Sequence, residues 1–213
     1  MTQRPFRGPR APEEPNGDEP RLFFAVPLAD ETRAAVAAVV DEVRQAVDGA
    51  AREPRSQVRW VRMDELHLTL RFLGPTPADR VPALSRLLDE TASASSPFTV
   101  RVHDAGAYPS AARPRTLWLG IDEGQAELAA LADRLGERLE TAGWRRDDRP
   151  FRAHLTLARA DGRREGPLVA RTLAERAVRF EATSAVDRLV LFESLTGGGP
   201  ARYVARHEAR LSG

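Results

Sequence analysis

The chain has 213 residues, 42% hydrophobic and 30% charged, with a formal net charge of +1 and no cysteine. That size and mix suit a soluble globular protein able to bury a sizeable core. The missing cysteines exclude a disulfide framework, a thiolate nucleophile and a cysteine-type zinc site. The balanced charge excludes a global field that would hold a long polyanion, so nucleic-acid contact is confined to a few phosphates.

In chain order, Met1 to Pro20 holds five prolines and almost no large apolar residues. It is expected to be a disordered tail, because it cannot bury enough surface to offset chain ordering. A single domain is expected over residues 21–213. Leu22 to Val26 reads as a buried strand, too short an apolar run to span a bilayer. Asp30 follows as a candidate N-cap for a helix with Val36, Val39, Val40, Val43 and Val47 on one stripe. Gly49 to Gln57 reads as a loop. Val58 to Arg62 and His67 to Phe72 read as strand segments around a turn at Met63-Asp64-Glu65, and Gly74-Pro75 ends the second. Thr76 before Pro77 suggests an N-cap for a helix with Val81, Leu84, Leu87 and Leu88 inward.

Phe98 to Val102 alternates as a strand, Gly106-Ala107-Tyr108-Pro109 reads as a turn or bend, and Thr116 to Gly120 is a strand expected to pair with the first. Leu128, Leu131, Leu135 and Leu139 mark a third helix, stopped at Gly143. Phe151 to Arg159 is a strand and Leu168 to Ala177 a short helix. Val178 to Ala182, Leu189 to Glu193 and Arg202 to Ala205 are late strands, the last two joined by a turn at Gly197-Gly198-Gly199-Pro200.

One phrase occurs twice, His67-Leu68-Thr69-Leu70 and His154-Leu155-Thr156-Leu157. Side chains at i and i+2 of a strand share a face, so each copy offers imidazole and hydroxyl on one side and anchors two leucines on the other. A single copy reads as a half-buried strand; two copies in similar settings read as a duplicated, site-facing one. Strand, helix and motif strand recur in two halves, which would face each other across a cleft related by approximate two-fold symmetry.

Two imidazoles with ordinary pKa near 6.5 suit a reaction in which one group takes a proton and another gives one near neutral pH. Hydrolysis of a cyclic phosphodiester is such a reaction, with Thr69 and Thr156 placed to donate to the non-bridging oxygens where charge collects. His103 and His207 lack a threonine at i+2 and read as structural. Trp60, Trp118 and Trp144 read as packing residues, since none lies within a His-x-Thr face. All 32 basic residues are arginine, a bias that a GC-rich coding sequence accounts for away from the motifs.

The stretch Trp60 to Gly74, with Arg149 to Arg159, resembles the LigT branch of the 2H phosphoesterase superfamily, the RNA 2′,3′-cyclic phosphodiesterases. Arg21 to Ala25, Gly106 to Ser110 and Leu191 to Ser194 extend the likeness. The resemblance implies an α+β, bilobal fold: two pseudo-symmetric lobes of mainly antiparallel sheet, outer helices and a central cleft lined by both histidine strands. It implies opening of 2′,3′-cyclic phosphate ends of RNA or nucleotides to 2′-phosphates without cofactor or metal, by a monomeric cytoplasmic protein. His154 is implied as the base and His67 as the acid; the residues alone permit either order. Arg159 is implied as a phosphate ligand, although simple alternation from His154 turns it away unless the strand bulges near Ala158. Arg71 and Arg152 share parity with their histidines and are alternative ligands. Tyr108 stands where phenylalanine is common in the family, with a nucleobase contact at stake, and Ala153 where proline is. Other readings are a 2′-5′ RNA ligase or small-molecule cyclic phosphodiesterase, a non-catalytic nucleotide- or RNA-end-binding module, and a metal hydrolase, for which no H-E-x-x-H or comparable spacing exists.

Overall fold

The computed structural model describes residues 19–48, 58–147, 150–160, 165–195 and 201–213. Residues 1–18 of the tail, the loop from 49 to 57, Arg149 and the turn at 197–200 lie outside the described residues. In order come β1 (Arg21–Pro27), α1 (Asp30–Asp48), β2 (Arg59–Trp60), β3 (His67–Pro75), α2 (Val81–Ser93), β4 (Phe98–Tyr108), β5 (Thr116–Glu123), α3 (Gln125–Thr141), β6 (His154–Arg159), α4 (Glu165–Ala177), β7 (Glu181–Val186), β8 (Arg188–Leu195) and β9 (Arg202–Arg210).

The fold is α+β, with two sheets whose paired strands run antiparallel: β3-β1-β8-β9 and β2-β6-β5-β4-β7. The halves of the sequence are not the two sheets. The first half runs β1, α1, β3, α2, β4 and the second β5, α3, β6, α4, β8. Each half contributes a motif strand and its neighbour to one sheet, then sends its last strand into the other. The helices exchange likewise: α1 joins α4 on the five-stranded sheet, while α3, against β3, joins α2, against β8 and β9, on the four-stranded one. The duplication expected from the repeated phrase is therefore present with crossed strands, a correction to the picture of two separate halves.

Local chemistry explains most elements. The inward stripes of α1 and α3 bury Val36, Val40, Val43 and Val47, and Leu128, Leu131, Leu135 and Leu139, the sides that 3.6-residue periodicity brings together. Gly143, at φ +84°, ends α3 in the left-handed conformation glycine tolerates, and the Trp144 N–H reaches back to the Leu139 carbonyl at 2.8 Å. Thr32 donates to the Thr183 carbonyl at 2.5 Å and the Ala29 N–H donates to the Ser184 hydroxyl at 2.9 Å, fixing the start of α1 to β7.

Several boundaries differ from the sequence reading. Asp30 lies inside the first turn of α1 and pairs with Arg33; the Ala29 carbonyl accepts from the Arg33 N–H and holds the capping position. Thr76 does not cap α2: its hydroxyl donates to the Gly74 carbonyl at 3.1 Å, and a 3-10 turn over Ala78–Arg80 precedes the helix. Gly106 to Tyr108 continues β4 instead of turning, because it pairs with Thr116 to Trp118 of β5. β6 starts at His154 and not at Phe151, and the strand sought at Val178 to Ala182 is β7, beginning at Glu181. Among the described residues no helix is long and apolar enough to cross a membrane.

Candidate active site

β3 and β6 pack against each other where the two sheets meet. Leu68, Leu70, Leu155 and Leu157 are buried behind them, while His67, Thr69, His154 and Thr156 are only partly covered. His67, Thr69, Thr156 and Arg159 line one compartment of the groove between the sheets. His154, Tyr108, Arg71 and Arg152 line the other. Thr69, Phe72 and Arg159 border both, so the two compartments adjoin along these three residues.

The two imidazoles are held by the same device. His67 Nδ1 lies 2.9 Å from the Glu65 carbonyl and His154 Nδ1 2.8 Å from the Arg152 carbonyl, each two residues back along the chain. A carbonyl can only accept, so Nδ1 carries the hydrogen and Nε2 is left to take or return a proton. Nε2 of neither ring has a hydrogen-bond partner among the described residues.

The expected bulge exists, and it occurs in both copies. Thr156 pairs with Trp118 and Ala158 with Leu117, leaving Leu157 as the extra residue; Thr69 pairs with Ala25 and Arg71 with Phe24, leaving Leu70 extra. An extra residue shifts the alternation, so the fifth residue after each histidine, Phe72 or Arg159, turns to the groove. Arg159 donates to the Thr116 hydroxyl at 2.5 Å, and its strand is held between β2 and β5. Phe72 is 58% exposed. Arg71, on the rim of the His154 compartment, bonds the Arg145 carbonyl and lies 3.4 Å from Asp147. Arg152 is exposed, and the contact it makes with the motif is its carbonyl.

The surroundings of the two rings differ. His67 is enclosed by aromatic rings: Phe23 at 4.9 Å, Tyr203 at 4.9 Å edge-on and Phe192 at 5.9 Å between centroids. Burial in this apolar box pushes its pKa below the ordinary histidine range, and the bond to the Glu65 carbonyl offsets only part of that. His154 meets Tyr108 edge-on at 5.4 Å and Trp118 at 6.4 Å. Tyr108 in turn packs on Trp118 at 5.2 Å.

The tryptophans divide. Trp144 is covered by Arg80, whose guanidinium lies 3.5 Å from the ring centroid, and is a packing residue as expected. Trp118 touches His154, and Trp60 lines the His67 compartment, so the reading of both as packing residues alone is corrected. His103 and His207 stand apart, bound to the Phe180 carbonyl and to Asp89. Sequence reasoning missed Phe23, Glu65, Phe72, Thr116, Phe192 and Tyr203. Phe72 was within reach, because laying the two motif copies in register puts it opposite Arg159, and Glu65 stands two residues before His67; the other four come from strands remote in sequence. Among the described residues no group of three or more His, Asp or Glu side chains is placed to hold a metal ion.

Comparison with known proteins identifies the family. The family model for the 2′-5′ RNA ligase superfamily matches residues 30–198. The RNA 2′,3′-cyclic phosphodiesterase of Archaeoglobus fulgidus is 35% identical over 150 residues, 70% of this chain and 77% of that protein. The Escherichia coli protein of the same description is 35% identical over 140 residues, 65% and 71% of the two chains. The crystal structure of E. coli LigT complexed with 3′-AMP superimposes with a TM-score of 0.70 at 29% identity, covering 92% of this chain and all of that one. The crystal structure of TT0787 of Thermus thermophilus gives 0.69 at 28%, over 91% and 98%. With two His-x-Thr strands on facing sheets, a family match over most of its length and a shared fold, the chain belongs to the 2′-5′ RNA ligase superfamily, in its LigT-like 2H branch.

Proposed function

We propose that residues 21–213 form one catalytic unit that hydrolyses 2′,3′-cyclic phosphate ends of RNA or nucleotides to 2′-phosphates by metal-independent acid–base chemistry. The observation that carries this reading is the matched pair of Nδ1-to-carbonyl bonds, which leave Nε2 of His67 and of His154 without a partner among the described residues, in two adjoining compartments that share Thr69 and Arg159. The similar phosphodiesterases and the LigT complexes with 3′-AMP and ATP support the substrate class.

Water attacks phosphorus, and Nε2 of His154 takes its proton as the new P–O bond forms. The P–O3′ bond breaks, and His67 gives its Nε2 proton to the departing ribose oxygen, leaving a 2′-phosphate and a 3′-hydroxyl. Thr69, Thr156 and Arg159 hold the non-bridging oxygens, where hydrogen bonds to a growing negative charge contribute most. In the free protein, burial disfavours the protonated form of His67, the form an acid needs. The acid role therefore requires the phosphodiester's own charge to restore the proton, so binding takes up a proton at His67. The direct test is product analysis after incubation with a nucleoside 2′,3′-cyclic phosphate in EDTA. The 2′-phosphate is expected; no turnover, or turnover that returns only with an added divalent ion, would remove the reading.

A further inference from the structure

Glu65 acts on both sides of His67. Its carbonyl takes the Nδ1 hydrogen, and its carboxylate, 14% exposed, accepts the Tyr203 main-chain N–H at 2.6 Å. Tyr203 is the second residue of β9, at the edge of the four-stranded sheet. The side-chain bond pins that end of the strand beside the motif, and a charge-assisted bond of this kind is among the stronger ones available to a main-chain N–H. The ring is fixed from two further directions, edge-on to His67 at 88° and to Phe23 at 80° with a 5.1 Å separation.

The phenol is the one part of this aromatic box that carries a proton donor. Tyr203 lines the compartment of Thr69, Thr156 and Arg159, and its hydroxyl has no hydrogen-bond partner among the described residues. The charged groups that bear on it are the Glu65 carboxylate and the Arg159 guanidinium. Burial first, and then Glu65, push its pKa up against the pull of Arg159, so it remains an O–H donor through neutral and mildly alkaline pH. A half-buried phenol that packs its ring against a histidine without bonding its hydroxyl is satisfied when a ligand accepts from it.

We infer that Tyr203 is a third hydroxyl donor to the phosphate, acting beside Thr69 and Thr156, and that Glu65 is the residue that positions it. This rests on the phosphodiesterase reading of the same groove and adds to it a donor outside both motifs, on the last strand. It also gives the aromatic box a chemical purpose besides packing, since it orients an O–H that the two threonines cannot supply from their own side.

The test uses the full-length protein with a nucleoside 2′,3′-cyclic phosphate. Tyr203→Phe keeps every ring contact and removes only the hydroxyl. It is expected to lower kcat/KM about tenfold to a hundredfold, as loss of one hydrogen bond to a charged group does, with an unchanged melting temperature and both limbs of the pH profile retained. Activity within about twofold of wild type would overturn the assignment while leaving the phosphodiesterase reading intact. An inactive wild type would instead overturn that reading, and the assignment of Tyr203 with it. Glu65→Gln retains the carbonyl and weakens the bond to the Tyr203 N–H; its smaller loss should vanish in the Tyr203→Phe background. Fully additive losses would remove Glu65 from the positioning role.

Discussion

β3 and β6 carry the same four residues, bulge at the same leucine and hold their histidines by the same main-chain bond, yet one imidazole is boxed by Phe23, Phe192 and Tyr203 and the other leans on Tyr108 and Trp118. The motif fixes what is local to it: the face, the tautomer and the place of the threonine. The surroundings are set elsewhere, by rings on β1, β8 and β9 in one case and β4 and β5 in the other, and burial among the first set lowers the pKa of His67. A duplicated strand thus sets its two histidines in unlike surroundings without a change in its own four residues.

The largest effects should come from removing either histidine. His67→Ala and His154→Ala are each expected to lower turnover of a cyclic phosphate by roughly 10²–10⁴. A nitrophenyl phosphodiester separates them, because its leaving group needs no proton. His67→Ala should then be largely rescued and His154→Ala not. Rescue of His154→Ala alone would reverse the two roles, as the depressed pKa of His67 permits.

The β6 side can be disturbed through its support. A Cβ on Gly106 would lie 2.2 Å from the Trp118 ring, and Trp118 backs both Tyr108 and His154. Gly106→Ala should cost about 1–3 kcal/mol of stability, the usual range for overpacking, and should slow the His154 step more than it weakens substrate binding. Unaltered turnover at a temperature well below melting would show that Trp118 only packs.

A smaller effect is expected from Thr116→Val, which removes the acceptor of the Arg159 guanidinium. Substrate affinity should fall several-fold while the pH profile stays put, measurable as a rise in KM. Finally, His67 binds its proton less tightly in the folded protein than the ordinary value near 6.5 of an unfolded chain. The unfolded state therefore holds more protons as pH drops from about 6.5 toward the folded pKa, and stability falls across that window. Thermal melting of wild type and His67→Asn between pH 7.5 and 5 should show the variant losing less; equal losses would mean that the aromatic box does not depress the pKa.

How much was legible in the sequence follows the same division. Helices with single-faced leucine or valine stripes and strands with strong alternation were readable because their periodicity is local, and the repeated phrase identified both motif strands. The bulge was inferred from a conflict: Arg159 had the wrong parity for the role that the resemblance gave it, and the register shift at Leu157 resolves it. Arg71 lies 3.4 Å from Asp147 after the matching shift at Leu70, while still lining the His154 compartment. Ends of elements misled where a tertiary bond outweighed a local signal, as with Thr76, whose hydroxyl turns to Gly74. The box around His67 was invisible because its members are brought together only by the pairing of β1 with β3 and β8, and of β8 with β9.

The crossing of β4 and β8 into each other's sheets has a consequence for where such a molecule could have come from. Either half, taken alone, lacks an inner strand of its own sheet and carries one that fits only a partner. A half-length ancestor with this layout would have completed itself by trading that strand with a second copy, a domain-swapped dimer whose symmetry axis ran between two identical histidines. Within one chain the two copies are free to differ, and Phe72 standing opposite Arg159 is a difference that two identical subunits could not carry.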